Sequence, residues 1–161
     1  MNPQLAAAFH CPKWKELPAV DLYMDQVVLL LNQEIGSLGD KGEPVITATM
    51  VNNYVKKKLV PAPVKKKYGR RQIATLIVVS ILKRALSMPE ISRVIALLQE
   101  AHGAEEGYDR FCDALEDTLR AAYSSDAFQM RPYGMDAQSL LDAALTAWIG
   151  KMLVRDQAAS T

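Results

Sequence analysis

The sequence has few cysteines and no long apolar run, and its first residues do not predict a secretory signal. Cys11 and Cys112 are its two cysteines and lie about a hundred positions apart, without the close spacing of a disulfide framework or a zinc module. The first residues, MNPQLAAAFHCPKW, have no early positive charge and only a short apolar run, so we expect no secretory signal. The longest strongly apolar stretch, IATLIVVSIL, is about ten residues long, whereas a membrane helix needs roughly 20. We therefore expect a soluble, cytoplasmic protein.

Residue patterns typical of catalysis are also missing. The two histidines, His10 and His102, have no recognisable acid or nucleophile partner in the sequence. No phosphate-binding glycine loop, nucleophile elbow or metal motif occurs. A zinc site formed by His10, Cys11, His102 and Cys112 is conceivable, but its spacing matches no standard pattern. The sequence predicts a protein that is not an enzyme and that uses no metal or cofactor.

Charge is distributed unevenly along the chain, although the formal net charge is only +1. Residues 1–40 carry 2 basic and 5 acidic side chains, residues 41–93 carry 12 and 2, and residues 94–161 carry 5 and 11. Eight Lys or Arg and no Asp or Glu lie between Lys56 and Arg71. Cations that neutralise phosphates release condensed counterions and give affinity for nucleic acid independent of sequence. Double-stranded DNA is therefore the leading prediction for a partner.

The length of 161 residues allows one substantial hydrophobic core and makes two large domains improbable. We expect a flexible N-terminus over residues 1–16, a main domain over residues 17–100 and a C-terminal helical subdomain over residues 104–161. The main domain would contain the whole basic segment, and the subdomain would carry most of the acidic side chains.

Helical patterns begin early in the main domain. Asp21 is predicted to cap a helix over DLYMDQVVLLLNQEI that stops near Gly36, and a glycine-rich loop follows. The next helix is predicted over residues 48–58, with Thr47 or Thr49 as its cap. Its polar side carries side chains with amide, hydroxyl and cationic groups: Thr49, Asn52, Asn53, Lys56 and Lys57.

Prolines interrupt the pattern after this helix. Pro61 and Pro63 predict two short extended pieces over LVPAPVKKKY, which would form a small hairpin or wing. Gly69 permits the turn into RRQIATLIVVSILKRAL, a predicted helix that is apolar nearly all round and therefore central. Ser87 is predicted to cap the next helix, with Glu90 close to a capping-box position.

The C-terminal part predicts two further helices separated by a loop around SSDAFQMRPYG. The acidic helix has an apolar stripe composed of Tyr108, Phe111, Cys112, Leu115 and Leu119. Asp136 is predicted to cap the last helix, whose apolar stripe is Leu140, Leu141, Ala144, Leu145, Trp148, Ile149 and Met152. This last stripe fits two alternatives, packing onto the chain's own core or forming a dimer interface.

The order of these elements carries a family resemblance. The run TATMVNNYVKKKLVPAPVKKKYGRRQIATLIVVSILKRALSMPEISRVIALL resembles the DNA-binding region of the MerR-type regulators. Thr49 and Tyr54 match that family's recognition helix, Leu59 and Pro61 the exit from it, and Tyr68 the closure of the wing. Asn52 stands where typical members often have arginine, and the usual long dimerising coiled coil is absent.

A second resemblance covers more of the chain. The segments LPAVDLYMDQVVLLLNQEI and ITATMVNNYVKKKLVPAPVKKKY are similar to an uncharacterised bacterial family, domain of unknown function 1836, thought to share the MerR-like fold. The resemblance implies a mainly helical, all-α protein with a small β wing, in which a MerR-like winged helix-turn-helix precedes C-terminal helices.

Site residues follow from the basic segment and this resemblance. Asn amides pair bidentately with adenine in the major groove, whereas Lys and Arg bind phosphates. The side chains expected at base edges are Thr49, Asn52 and Asn53. Those expected at phosphates are Lys56, Lys57, Lys65, Lys66, Lys67, Tyr68, Arg70 and Arg71.

The function predicted is that of a bacterial transcriptional regulator, homodimeric through its C-terminal helices, with helix 48–58 in the major groove and wing 59–69 on the backbone. Any effector ligand is unknown. One alternative is an adaptor whose winged fold binds an acidic protein partner and no DNA, because fold does not imply function. Another has the acidic helices cover the basic face as an autoinhibitory segment.

Overall fold

The computed structural model describes residues 3–40, 42–123 and 134–158 and divides into two compact units. One unit contains residues 12–81, and the other combines residues 1–11 with residues 82–161. In the described ranges the structure has the following elements: α1 Pro3–Ala8, β1 Leu22–Tyr23, α2 Met24–Ile35, α3 Ala48–Lys56, β2 Lys67–Tyr68, α4 Arg70–Leu82, α5 Met88–Tyr123 and α6 Ala137–Ala158. The predicted mainly helical fold with a small β wing is confirmed.

Helix α2 begins later than the sequence predicted. Leu22 and Tyr23 form β1, and the backbone N–H of Tyr23 donates to Gln26 Oε1 at 2.9 Å, so Asp21 does not cap the helix. Strand β1 pairs antiparallel with β2, with Leu22 opposite Tyr68 and Tyr23 opposite Lys67. The residues before α2 therefore form a strand because they pair with β2, which follows α3. Local sequence does not reveal this pairing.

Helix α4 is the most completely buried helix of the residue 12–81 unit. Every side chain from residue 73 to residue 82 is buried, including the polar Thr75 and Ser80. The Thr75 hydroxyl donates to the Arg71 carbonyl at 2.8 Å, which satisfies it within the helix. The prediction of a central helix is confirmed, although α4 ends at Leu82 rather than near Leu86.

In the other unit, the long helix α5 is interrupted at Gly103, which has a φ of 79°. Its first turn begins after Ser87, whose backbone N–H and hydroxyl both donate to Glu90 Oε2 at 2.7 Å. These hydrogen bonds lower the pKa of Glu90. The predicted cap is confirmed, and Gly103 separates the two helices that the sequence predicted.

Helix α6 packs against α5 through its apolar stripe. Six members of that stripe are buried and Leu140 is half-buried: the buried ones are Leu141, Ala144, Leu145, Trp148, Ile149 and Met152. The apolar stripe of α5 is buried as well. The stripe on α6 therefore packs within the chain, the first of its two alternatives. The predicted cap is present, because the Ser139 N–H donates to Asp136 Oδ1 at 2.8 Å.

Residues 3–16 lie within the segment expected to be flexible, and they contain a helix and buried side chains. Helix α1 packs on α5, and Ala6, Phe9 and Cys11 are buried. The N-terminal segment thus belongs to the same unit as α5. Of the predicted loop over residues 124–134, all but Gly134 lies outside the described residues. Within the described ranges, no helix combines the length and the apolar character needed to cross a membrane.

Candidate nucleic-acid interface

Helix α3 presents one polar, exposed face. Val51 and Tyr54 are buried, whereas Thr49, Asn52 and Asn53 are exposed. Lys56 continues this exposed row one turn further along the helix. Residues three and four apart share a face of a helix, so these side chains form one contiguous surface. The structure therefore brings together the predicted base-reading residues.

The start of α3 is fixed by two residues. The Thr47 side chain accepts a hydrogen bond from the Met50 N–H at 3.3 Å, so Thr47 rather than Thr49 is the cap. Asn32 of α2 connects to the segment before this cap. Its Oδ1 accepts from the Val45 N–H at 2.7 Å, and its Nδ2 donates to the Ile46 carbonyl at 2.9 Å. Asn32 therefore fixes the turn that joins α2 to α3.

Beyond α3 the chain forms a tight basic hairpin, residues 59–68. Val64 and Lys67 exchange two backbone hydrogen bonds of 3.0 Å. The two residues between them, Lys65 and Lys66, have φ values of 51° and 63°. Two left-handed central residues define a type I′ turn, which favours Asn-Gly because L side chains other than Asn and Asp resist this conformation. The chain instead places two exposed lysines at the tip.

The base of the hairpin is supported by β1. Lys67 lies over the Tyr23 ring, with Nζ 5.0 Å from its centroid, a cation–π geometry. Tyr68 is only 3% exposed, and burial raises the pKa of its phenol. Tyr68 therefore closes the hairpin by packing and does not offer its ring to the surface.

Arg70 also differs from its expected placement. Its guanidinium donates to the Leu17 carbonyl at 3.2 Å, and its Nε is buried without a hydrogen-bond partner among the described residues. Neighbouring Arg71 is exposed. Gly69 precedes Arg70, and a Cβ at this position would stand 2.9 Å from Asp21 Oδ1, which is the end of an exposed side chain.

The exposed cations of this unit therefore form a smaller set than predicted. Lys56 and Lys57 follow the polar face of α3, Lys65 and Lys66 occupy the hairpin tip, and Arg71 begins α4. Lys58, which is not among the predicted site residues, is exposed with a φ of 59° just after α3. Its proximity to Lys57 in the basic run was the signal that could have included it.

The residues suggested for zinc do not assemble into a metal site. Among the residues the structure describes, no group of three or more His, Cys, Asp or Glu side chains is arranged to hold a metal ion. His10 instead contacts Glu116, with Nδ1 3.1 Å from Oε1, and His102 faces Glu106, with Nδ1 3.8 Å from Oε1.

The fold and this surface define a mainly helical protein with an exposed polar helix and a basic hairpin. The chain belongs to the family described as Domain of unknown function (DUF1836), whose model matches residues 12–116. This match begins within the residue 12–81 unit and extends through most of α5. No curated protein and no solved structure matches the chain.

Proposed function

We propose that this protein binds double-stranded DNA as a transcriptional regulator with a MerR-like winged helix-turn-helix. Helix α3 would enter the major groove, and the basic hairpin would lie along the phosphate backbone. The observation that carries the proposal is the exposed row Thr49, Asn52 and Asn53, continued by Lys56 and accompanied by the lysines of the hairpin tip. A surface of this kind supplies both groups that read bases and groups that neutralise phosphates.

The two kinds of side chain would have different tasks. Asn52 and Asn53 carry amides that can donate to adenine N7 and accept from adenine N6 in the major groove, a contact worth about 1–3 kcal/mol of discrimination between bases. Lys65 and Lys66 carry no such pattern of donors and acceptors, so they would bind phosphates whatever the sequence.

Fluorescence anisotropy with a labelled duplex over a salt series tests the electrostatic part of the proposal. About six neutralised phosphates predict that log affinity falls with log salt with a slope of about −5. Absence of binding to any duplex at low salt would refute the proposal.

Two substitutions separate reading from neutralisation. Asn52→Ala is expected to weaken the preferred duplex by roughly 5- to 150-fold and random duplexes much less, because only the base contact is lost. Lys66→Ala is expected to weaken all duplexes alike and to reduce the salt slope by about one unit. Lys151→Ala, which removes an equal charge from an exposed position on α6 in the other unit, is the matched control. Identical behaviour of Asn52→Ala and Lys66→Ala would contradict the division of roles.

A homodimer formed through the C-terminal helices remains part of the proposal, since two-fold symmetry would pair two recognition helices with a palindromic site. The stripe of α6 is buried within the chain, so such a dimer would have to use the exposed face of that helix, which includes Val154, 71% exposed. Sedimentation equilibrium of the free protein and of its complex with a palindromic duplex measures this stoichiometry.

One observation favours the adaptor as a second candidate function. An open cavity of about 800 Å³ lies between α2, the start of α3 and the hairpin. Its lining includes the exposed Tyr23 and Leu29, together with Lys66 and one acidic side chain, Asp25. A short acidic and apolar peptide would fit these groups. Co-purification of one acidic protein in fixed ratio, without nucleic acid, would favour the adaptor over the regulator.

A further inference from the structure

The two cysteines of the chain meet in the unit formed by residues 1–11 and 82–161. Cys11 and Cys112 are fully buried, and Cys112 lies near enough to Cys11 to raise the pKa of the Cys11 thiol. Cys11 follows α1, and Cys112 lies on the buried stripe of α5. Two neighbouring buried thiols are the groups from which an intramolecular disulfide forms, and the DNA-binding proposal uses neither of them.

The backbone around Cys11 is held in place by α5. The Cys11 N–H donates to Glu116 Oε1 at 2.9 Å, and His10 Nδ1 lies 3.1 Å from the same oxygen. Glu116 is one helical turn beyond Cys112, so a single face of α5 holds both the main chain and the thiol of Cys11. The approach of the two sulfurs is therefore fixed by contacts other than their own.

The surroundings keep the sulfur of Cys11 in the thiol form. Contact with Cys112 and burial raise the pKa of Cys11 well above its ordinary value. Tyr108, one turn before Cys112, hydrogen-bonds with both thiols, and burial raises the pKa of its phenol. Thiolates are the species that attack disulfides. The docked pair is therefore shielded from oxidants, and reaction requires that the N-terminal segment first leave α5.

That opening involves few buried side chains. Helix α1 has six residues, of which Gln4, Leu5, Ala7 and Ala8 are exposed, and the buried side chains described from residue 4 to residue 11 are Ala6, Phe9 and Cys11. Short terminal segments that bury little apolar surface open at low free energy compared with global unfolding. The thiol of Cys11 would thereby become accessible while the rest of the unit remains folded.

We propose that Cys11 and Cys112 are a reversible disulfide site that locks the N-terminal segment onto α5. A low-molecular-mass disulfide is the oxidant. The thiolate of Cys11 attacks one of its sulfurs, forms a mixed disulfide and releases one thiolate. On redocking, the Cys112 thiolate attacks the Cys11 sulfur and releases a second thiolate. The two protons lost by the cysteines end on the two released thiols, so the protein loses two hydrogens and the small disulfide gains them.

The experiment incubates the full chain with oxidised glutathione, followed by alkylation in denaturant and intact mass spectrometry. The expected product is lighter by two hydrogens, takes no alkyl group, and regains two alkylation sites after treatment with dithiothreitol. The disulfide closes a loop of about a hundred residues. The midpoint of thermal unfolding of the oxidised protein is therefore expected to be roughly 10 °C higher than that of the reduced protein. A stable mixed disulfide on either cysteine, a dimer linked between chains, or two thiols that remain alkylatable would overturn the proposal.

Two variants sharpen the result. Cys112→Ser is expected to stop at the glutathione adduct of Cys11, which identifies the pair. Glu116→Ala removes the acceptor of the Cys11 N–H but leaves both cysteines in place, so it is expected to accelerate formation of the same product. An unchanged rate in Glu116→Ala would overturn the route through the undocked segment.

Discussion

Lys65 and Lys66 occupy positions at which their own side chains are a conformational disadvantage. Both have left-handed φ values in a two-residue turn that suits Asn-Gly. A left-handed conformation costs a residue with a Cβ about 1–2 kcal/mol, so the two lysines lower stability at the tip. A binding role for the two lysines would explain why they occupy these positions despite the conformational cost.

The double substitution Lys65→Asn with Lys66→Gly tests this opposition between stability and binding. It is expected to raise the free energy of unfolding by about 1–2 kcal/mol, because the turn relaxes. It is also expected to weaken binding to all duplexes and to reduce the salt slope by about two units. Urea unfolding and anisotropy measure the two effects. The control is Lys56→Asn with Lys57→Gln, which removes the same charge without relaxing a left-handed residue. A variant that is stabilised yet keeps the wild-type salt slope would exclude the tip from the interface.

At the scale of elements, the two parts of α5 approach each other closely at Gly107. A Cβ at this position would stand 3.0 Å from the Leu98 carbonyl oxygen, and Leu98 lies on the other side of the interruption at Gly103. Because the obstacle is backbone rather than a movable side chain, the two helical parts would have to separate to admit a methyl group.

Gly107→Ala is therefore expected to lower the free energy of unfolding by about 1–3 kcal/mol. Gly150, exposed on α6, has no atom within 4 Å of an added Cβ. Gly150→Ala is the matched control and is expected to raise stability by up to about 1 kcal/mol through helix propensity. Urea unfolding monitored by circular dichroism compares them. Equal effects of the two substitutions would mean that the approach at Gly107 is not a tight contact.

The elements also show which information was local. The caps at Ser87 and Asp136, the polar face of α3 and the break at Gly103 were predictable, because each depends on residues within a few positions. Strand β1 was not, since its hydrogen-bonding partner β2 lies beyond α2 and α3. The local pattern therefore predicted Leu22 and Tyr23 as helical residues.

The site divides in the same way. The exposure of Asn52 and Asn53 followed from helical periodicity alone. The role of Arg70 depends on the Leu17 carbonyl, 53 positions away, and Asn32 serves a turn 13 positions further on. A charge run indicates a binding surface but does not show which of its cations are engaged by the fold. The polar residue that directly follows the apolar run VVLLL was the available signal for Asn32.

At the scale of the whole molecule, tyrosines make stability sensitive to base. The Tyr123 hydroxyl at the end of α5 donates to Asp156 Oδ2 of α6 at 3.2 Å. Burial, with the Asp156 carboxylate, raises the pKa of Tyr123 to about 12. The folded chain thus holds this proton at a pH at which the unfolded chain, with a pKa of about 10, has lost it. The contribution of Tyr123 to the free energy of unfolding is therefore fully present below about pH 10, and it is lost as the pH rises towards about 12.

Urea unfolding at several pH values between about 8 and 11.5 is expected to show this decline in the wild type. In the Tyr123→Phe variant, position 123 has no proton to lose in this pH range, so the free energy of unfolding is expected to decline less. Part of the decline is expected to persist, because the raised pKa values of Tyr68 and Tyr108 act in the same direction. Parallel pH profiles for wild type and Tyr123→Phe would contradict the assignment.

The short ladder between β1 and β2 has a consequence for the thermodynamics of ligand binding. It connects the hairpin to the start of α2, while Asn32 connects α2 to the segment before α3. The polar face of α3 and the basic hairpin are thus held at a set separation before any ligand arrives. Association would then require little ordering of the main chain. The loss of main-chain conformational entropy that fixes this geometry would occur during folding and not during binding.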